Sequence, residues 1–174
     1  MVSVADIKLS WIEQRMRGIV QRYNHEKYWR YRAVVIDPRK GSKIGDLLRL
    51  LYIKRSDAFN NASMGTHRNL GARFAEPPQL PHGLNGIIVS HNAVIGKTCR
   101  IYHQVTICEG RGGAPVVGDH VVIGAGAKLI GGITIGNYVK ISAGCVVMQD
   151  IQDGAVVLPG PLNIIVKDSG EKCD

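Results

Sequence analysis

The sequence predicts a mainly β protein: a parallel β-helix of hexapeptide repeats carrying a small α-helical N-terminal segment. Three observations predict it. From Val89 an aliphatic residue recurs every six positions, at Val89, Ile95, Ile101 and Ile107. After four extra residues the count resumes at Val117, Ile123, Leu129, Ile135, Ile141 and Val147. The residue four places later is small or apolar throughout: Ala93, Cys99, Val105, Val121, Ala127, Ile133, Val139, Cys145 and Ile151. Finally, the chain holds 21 glycines and only 6% aromatic residues, a balance that suits short strands joined by tight turns better than a helical bundle.

A period of six fits neither the 3.6 nor the 3.5 spacing of helices. It fits a coil in which each hexapeptide is one flat side and stacked coils pair their strands in parallel. The first position then points inward, and Cys99 and Cys145 serve as small inward hydrophobes. Glycine follows the first position at 96, 118, 124 and 136, where it is expected to permit the turn. Three hexapeptides close one coil of 18 residues, and the insertion lengthens one coil to 22. His103, Ala125 and Ala143, separated by those two intervals, are therefore expected in one column.

Ahead of the repeats, Leu9, Ile12, Met16, Ile19, Val20 and Tyr23 fall at helical spacing, with Ser3 and Asp6 as a capping box. Asp37-Pro38-Arg39-Lys40-Gly41 reads as a turn. A second helix is expected near Ile44 to Ile53, with Leu47, Leu48 and Leu51 on one side. Residues 25–36 are ambiguous, and the Pro- and Gly-containing stretch 54–86 reads mostly as irregular. The expected division is a helical segment over 1–60, an irregular lead-in over 61–86, the β-helix over 87–157 and a tail over 158–174.

With 174 residues and ordinary hydrophobic content, the chain suits one compact domain, alone or with a small appendage. The formal net charge is +8, and the basic residues crowd into the first half (Arg15, Arg17, Arg22, Lys27, Arg30, Arg32, Arg39, Lys40, Lys43). A solvated basic face is the simpler reading of that run, and a specific anion site is the sharper one. A nucleic-acid partner is not expected, because interleaved aromatics and recognition motifs are missing. The four cysteines (99, 108, 145, 173) match no metal or CxxC spacing, so no metal is expected and free thiols in a reducing cytosol are the default. Met1 to Gln14 lacks a signal-peptide pattern and no stretch suits a bilayer span. A cytoplasmic protein without an integral membrane segment is expected.

The run Ile123-Gly124-Ala125-Gly126-Ala127-Lys128 through Ile141-Ser142-Ala143-Gly144-Cys145-Val146-Val147 resembles the hexapeptide-repeat acyltransferases, in particular their serine acetyltransferase-like branch. Leu80-Pro81-His82-Gly83-Leu84-Asn85-Gly86-Ile87-Ile88-Val89 and Ile101-Tyr102-His103-Gln104-Val105-Thr106-Ile107 resemble the same branch, so the match spans residues 80–165. The resemblance implies a left-handed β-helix, a homotrimer, and acetyl-CoA bound as co-substrate between subunits. It implies His82 as the general base that takes the acceptor hydroxyl proton, a role that suits an imidazole. Ala125 and Ala143 match positions along which the pantetheine arm lies, with Gly144 beside them. Lys140 matches a basic residue near the CoA site, and Lys128 occupies a similar corner. Both have a solvated-lysine reading of equal weight. His103 is expected at the reactive end of the column, close to His82, or equally as an exposed turn residue. Arg111, in the loop expected to cover the site, is a candidate phosphate clamp, although a loop tip is the simpler reading. Glu76 is the candidate carboxylate partner of His82, ahead of Asp57.

Pro81 stands where the branch has Asp, and Gly113 and Ala114 stand where it has an Arg-His pair. Those residues recognise an amino acid's charged groups, so their loss points away from serine. The expectation is therefore O-acetylation of a sugar or glycan hydroxyl in polysaccharide synthesis. Serine O-acetylation in cysteine biosynthesis and a non-catalytic scaffold are the alternatives.

Overall fold

The structure, a computed structural model, describes residues 16, 18–39 and 43–160. The expected helix over 6–23 and its capping box lie mostly outside them, although residues 18–20 are helical. Helix α1 (His25–Ile36) occupies the stretch the sequence leaves ambiguous. Asn24 caps it by accepting a hydrogen bond from the Lys27 N–H through its side chain. Of the expected turn, Asp37, Pro38 and Arg39 are described, and Pro38 and Arg39 do turn. Helix α2 runs Lys43–Phe59, one and a half turns beyond its expected end. Leu47, Leu48 and Leu51, expected on one side of this helix, are solvent-exposed.

The strands that follow are short: β1 (Ser63–Met64), β2 (Thr66–His67), β3 (Leu70–Gly71), β4 (Arg73–Phe74), β5 (Ile88–Val89), β6 (Val94–Ile95), β7 (Arg100–Ile101), β8 (Thr106–Cys108), β9 (Val116–Val117), β10 (Val122–Ile123), β11 (Lys128–Ile130), β12 (Thr134–Ile135), β13 (Lys140–Ile141), β14 (Val146–Val147) and β15 (Val156–Val157). β2 and β3 pair antiparallel with each other, and the other strands stack into three parallel sheets. Side 1 is β1-β5-β8-β11-β14, side 2 is β7-β10-β13-β15, and side 3 is β4-β6-β9-β12. The chain visits side 1, side 3 and side 2 in turn, so every coil has three corners. The ladder starts one coil before the expected boundary at 87. β1 already pairs with β5, β4 with β6, and Gln79 bridges Arg100. The prolines that made 61–86 look irregular sit at its corners rather than in its strands.

The registers confirm the coil lengths. Val122 pairs with Arg100 on one side and Lys140 on the other, intervals of 22 and 18. Every first-position aliphatic from Val89 to Val147 is buried, as are the fourth-later residues from Ala93 to Cys145.

The glycines at 96, 118, 124 and 136 act differently from expectation. None has a positive φ. A Cβ on Gly124 would stand 2.5 Å from the Ala143 backbone nitrogen in the next coil, so these positions allow coils to approach rather than turn. The left-handed backbone conformation falls on the corners instead, at Thr98, His120, Tyr138 and Gly154 and at Gln104, Gly126 and Gly144.

The corner between sides 3 and 2 carries a side-chain ladder. Asp119 accepts from Lys97 N–H, Asn137 from Asp119 N–H, and Asp153 from Asn137 N–H, at 2.7 to 2.8 Å. Glu76 approaches the same stack from below, accepting from Thr98.

Arg32 joins the helices to the first coil. Its guanidinium is buried and donates to Thr66 Oγ1 (3.0 Å), Met64 O (3.1 Å) and Ala72 O (2.6 Å). It lies over the Trp29 and Phe74 rings at 5.2 and 4.9 Å. Tyr28 donates to the buried Asp57 Oδ1 at 2.6 Å, while Asp57 Oδ2 has no partner among the described residues. Burial raises the Asp57 carboxyl to about 6 and pushes Arg32 down to about 10.

Candidate active site

The corner between sides 2 and 1 gathers the expected chemistry. Gly126 N–H donates to His103 O (3.0 Å) and Gly144 N–H to Ala125 O (2.8 Å), so His103, Ala125 and Ala143 do stack in one column. His82 lies at the same corner one coil earlier. Its ring meets His103 edge-on with centroids 4.9 Å apart. Three steps between adjacent strands make the column about 14 Å long. Its far end is smooth: Ala125 and Ala143 are small, and a Cβ on Gly126 or Gly144 would meet nothing within 4 Å. Lys140, on β13, precedes this corner, and Lys128, on β11, follows it; both are exposed. The residues present thus fit a narrow linear ligand laid along the corner with cations beside it.

His82 is exposed and His103 half-buried. The His103 Nδ1 is buried without a hydrogen-bond partner among the described residues, a state that buried polar atoms rarely keep. Tyr102 was missed in the sequence. Its ring stands 5.9 Å from His82, and the signal was its place beside His103 in the Ile101-Tyr102-His103 run.

Two expected residues go elsewhere. Glu76 lies at the corner between sides 3 and 2, where one carboxylate oxygen accepts from both the N–H and the hydroxyl of Thr98. That engagement makes it a backbone cap, and no contact with His82 accompanies it. Asp57, the weaker alternative, is committed to Tyr28. Arg111 lies in the β8–β9 loop, which folds onto the corner between sides 1 and 3. Gly110 and Gly113 bridge each other, and Gly132 N–H donates to Arg111 O at 3.1 Å. At the loop's base, hydrogen bonds from Ser90 and Asn92 hold the Glu109 carboxyl below its usual range. Within one chain the loop does not cover His82.

Among the described residues no group of three or more His, Cys, Asp or Glu is placed to hold a metal. No described helix is long and apolar enough to cross a membrane.

Comparison with known proteins agrees with this architecture. Residues 114–149 match the family model described as bacterial transferase hexapeptide (six repeats), and such repeats fit the left-handed form of the β-helix. A serine acetyltransferase of Bacillus subtilis is 38% identical over 135 residues, covering 72% of this chain and 57% of the relative. One from Synechococcus elongatus is 36% identical over 115 residues, covering 63% and 46%. The chain spans about half the length of the curated relatives it matches. Among solved structures, Neisseria gonorrhoeae serine acetyltransferase in complex with serine superposes with a TM-score of 0.61 at 29% identity, covering 78% of this chain and 53% of that one. Entamoeba histolytica serine acetyltransferase 1 in complex with L-cysteine gives 0.53 at 28%, covering 64% and 44%. These findings overturn the sugar or glycan acceptor expected from the sequence. The relatives and neighbours are serine acetyltransferases, two of them solved with an amino acid bound, and polysaccharide O-acetylation has no support among them. The chain belongs to the hexapeptide-repeat acyltransferase superfamily, on its serine acetyltransferase-like branch.

Proposed function

We propose that the chain transfers an acetyl group from acetyl-CoA to the hydroxyl of L-serine, the step that opens cysteine biosynthesis. The observation that carries this reading is the His82–His103 pair at the head of the Ala125–Ala143 column. The His82 imidazole takes the hydroxyl proton as that oxygen attacks the thioester carbonyl carbon. The carbon–sulfur bond then breaks and the thiolate leaves. His103, with its unpartnered Nδ1, orients the acceptor or the thioester. The column of small residues holds the pantetheine arm, and Lys128 and Lys140 meet its phosphates. Pro81, Gly113 and Ala114 supply no charge to an amino acid, so its ammonium and carboxylate are held by other groups.

The reading includes a homotrimer in which this corner faces a neighbouring subunit. Support comes from Ile88 and Val146, apolar residues exposed on the outer surface of side 1. Light scattering on the purified chain measures the stoichiometry, and a monomer at working concentration removes this part of the reading.

Thiol release from acetyl-CoA is the direct test. L-Serine is expected to support turnover, and His82→Ala is expected to lower kcat by about 10²- to 10⁴-fold while acetyl-CoA still binds. Undiminished turnover in His82→Ala, or none with L-serine in the wild type, refutes the assignment.

A further inference from the structure

A second concave site lies on the helical segment and shares no lining residue with the His82 corner. It is a cavity of about 840 Å³ lined by Arg22, Lys27, Arg30 and Arg55, with Tyr52 and Glu26 among the other walls. Its volume falls in the range of small-molecule sites. Asn24, the cap of α1, and Glu26 and Lys27 of its first turn contribute to the lining, so the positive end of a 12-residue helix borders the same space.

Three features separate this cavity from a solvated basic face. Four cations converge on a concavity, with Glu26 the one acidic side chain lining it among the described residues. None of the four has an ion-pair partner among the described residues, whereas Arg39 and Arg49 are paired with Asp37 and Asp46. Aromatic rings also hold three of the cations in place, among them Arg30, whose guanidinium lies 5.7 Å from the Tyr31 ring centre. Lys27 Nζ sits 4.5 Å from the Tyr52 ring centre and 5.5 Å from that of Tyr31, and the Arg22 guanidinium lies 4.8 Å over Phe59. Unpaired cations gathered around a concavity raise the local potential and favour an anion there.

We propose that this cavity binds a small molecule carrying at least two phosphoryl groups. Three guanidinium forks match phosphate oxygens bidentately, and a lysine and a helix N-terminus add single-point contacts. One carboxylate would leave most of these donors unused. The site is lined by none of the residues of the proposed acetyl-CoA groove and does not depend on that assignment.

Inorganic pyrophosphate is the probe, titrated calorimetrically into the full chain at low ionic strength. One equivalent per chain is expected to bind. The double variant Arg30→Gln/Arg55→Gln, whose side chains are exposed, is expected to weaken binding by at least about tenfold, with an unchanged circular dichroism spectrum and unchanged thiol release. Lys140→Gln, in the acetyl-CoA groove, is expected to leave pyrophosphate binding intact. Absence of binding, or equal binding by the double variant, overturns the proposal. Loss of binding in Lys140→Gln moves the anion to the groove and also overturns it. So does an oligonucleotide that binds through Arg30 and Arg55 where pyrophosphate does not, because the surface would then serve a polymer.

Discussion

The β-helix and the helical segment are held together by opposite means. In the β-helix one rule repeats. An aliphatic residue points inward at each hexapeptide, and backbone ladders join every coil to the next. Each coil therefore duplicates much of what its neighbours specify. In the helical segment nothing repeats. Its attachment to the first coil centres on Arg32, while Tyr28 and Asp57 form a separate buried contact within it. Redundant apolar packing tolerates the loss of a methyl group, whereas a unique buried polar contact does not tolerate the loss of its donor.

Arg32→Met tests that contrast most severely. It strands three buried acceptors, so a loss of about 3 kcal/mol or more is expected in urea unfolding. A loss under about 1 kcal/mol would show that the helices are held by apolar contact alone. Asp57 gives the next effect. Its folded pKa of about 6 lies above the ordinary value of 3.8, so the folded state binds the extra proton between those values. Its contribution is fully present below about pH 3.8 and is lost as pH rises through 6. Two units correspond to up to about 3 kcal/mol. Asp57→Asn is expected to flatten the fall in stability over that window, and a slope equal to wild type would assign the titration to another group.

Gly124→Ala is expected to cost about 1–3 kcal/mol by forcing a Cβ against the neighbouring coil. Gly126→Ala, open to solvent but at a φ of 69°, provides the matched strain-only control. At the small end, Ile123→Val should cost about 0.5–1.5 kcal/mol. A larger loss there would mean that the stack is less redundant than its repeat suggests.

The same contrast explains what could be read from the chain. The β-helix was legible because burial alternates at a fixed interval, and even the column of His103, Ala125 and Ala143 followed from counting. Helix α1 was not, because Tyr28, Trp29, Arg32 and Val35 bury a surface rich in polar and aromatic groups that carries no clear apolar period. Leu47, Leu48 and Leu51 misled in the other direction: correct helical spacing, but on an exposed surface. The meeting of His82 and His103 was foreseen from spacing and resemblance together. The placement of Glu76 was not, because a carboxylate six residues from a histidine in sequence can lie one corner away in a coil. The acceptor was misjudged from three missing side chains, since loss of particular contacts at 81, 113 and 114 says nothing about what replaces them.

The ladder of Asp119, Asn137 and Asp153 gives the stack a polarity. Each of these side chains belongs to a later coil and closes a backbone N–H of the coil before it. Cutting the chain back by a coil from its C-terminal end does more than shorten the repeat, because it uncovers a donor on the coil that becomes the new end. Among the described residues, only the coil carrying Lys97 and Thr98 has backbone N–H groups at this corner capped by side chains from both sides, Asp119 above and Glu76 below. Fraying that begins at the C-terminal coils should therefore travel down the stack and stop there.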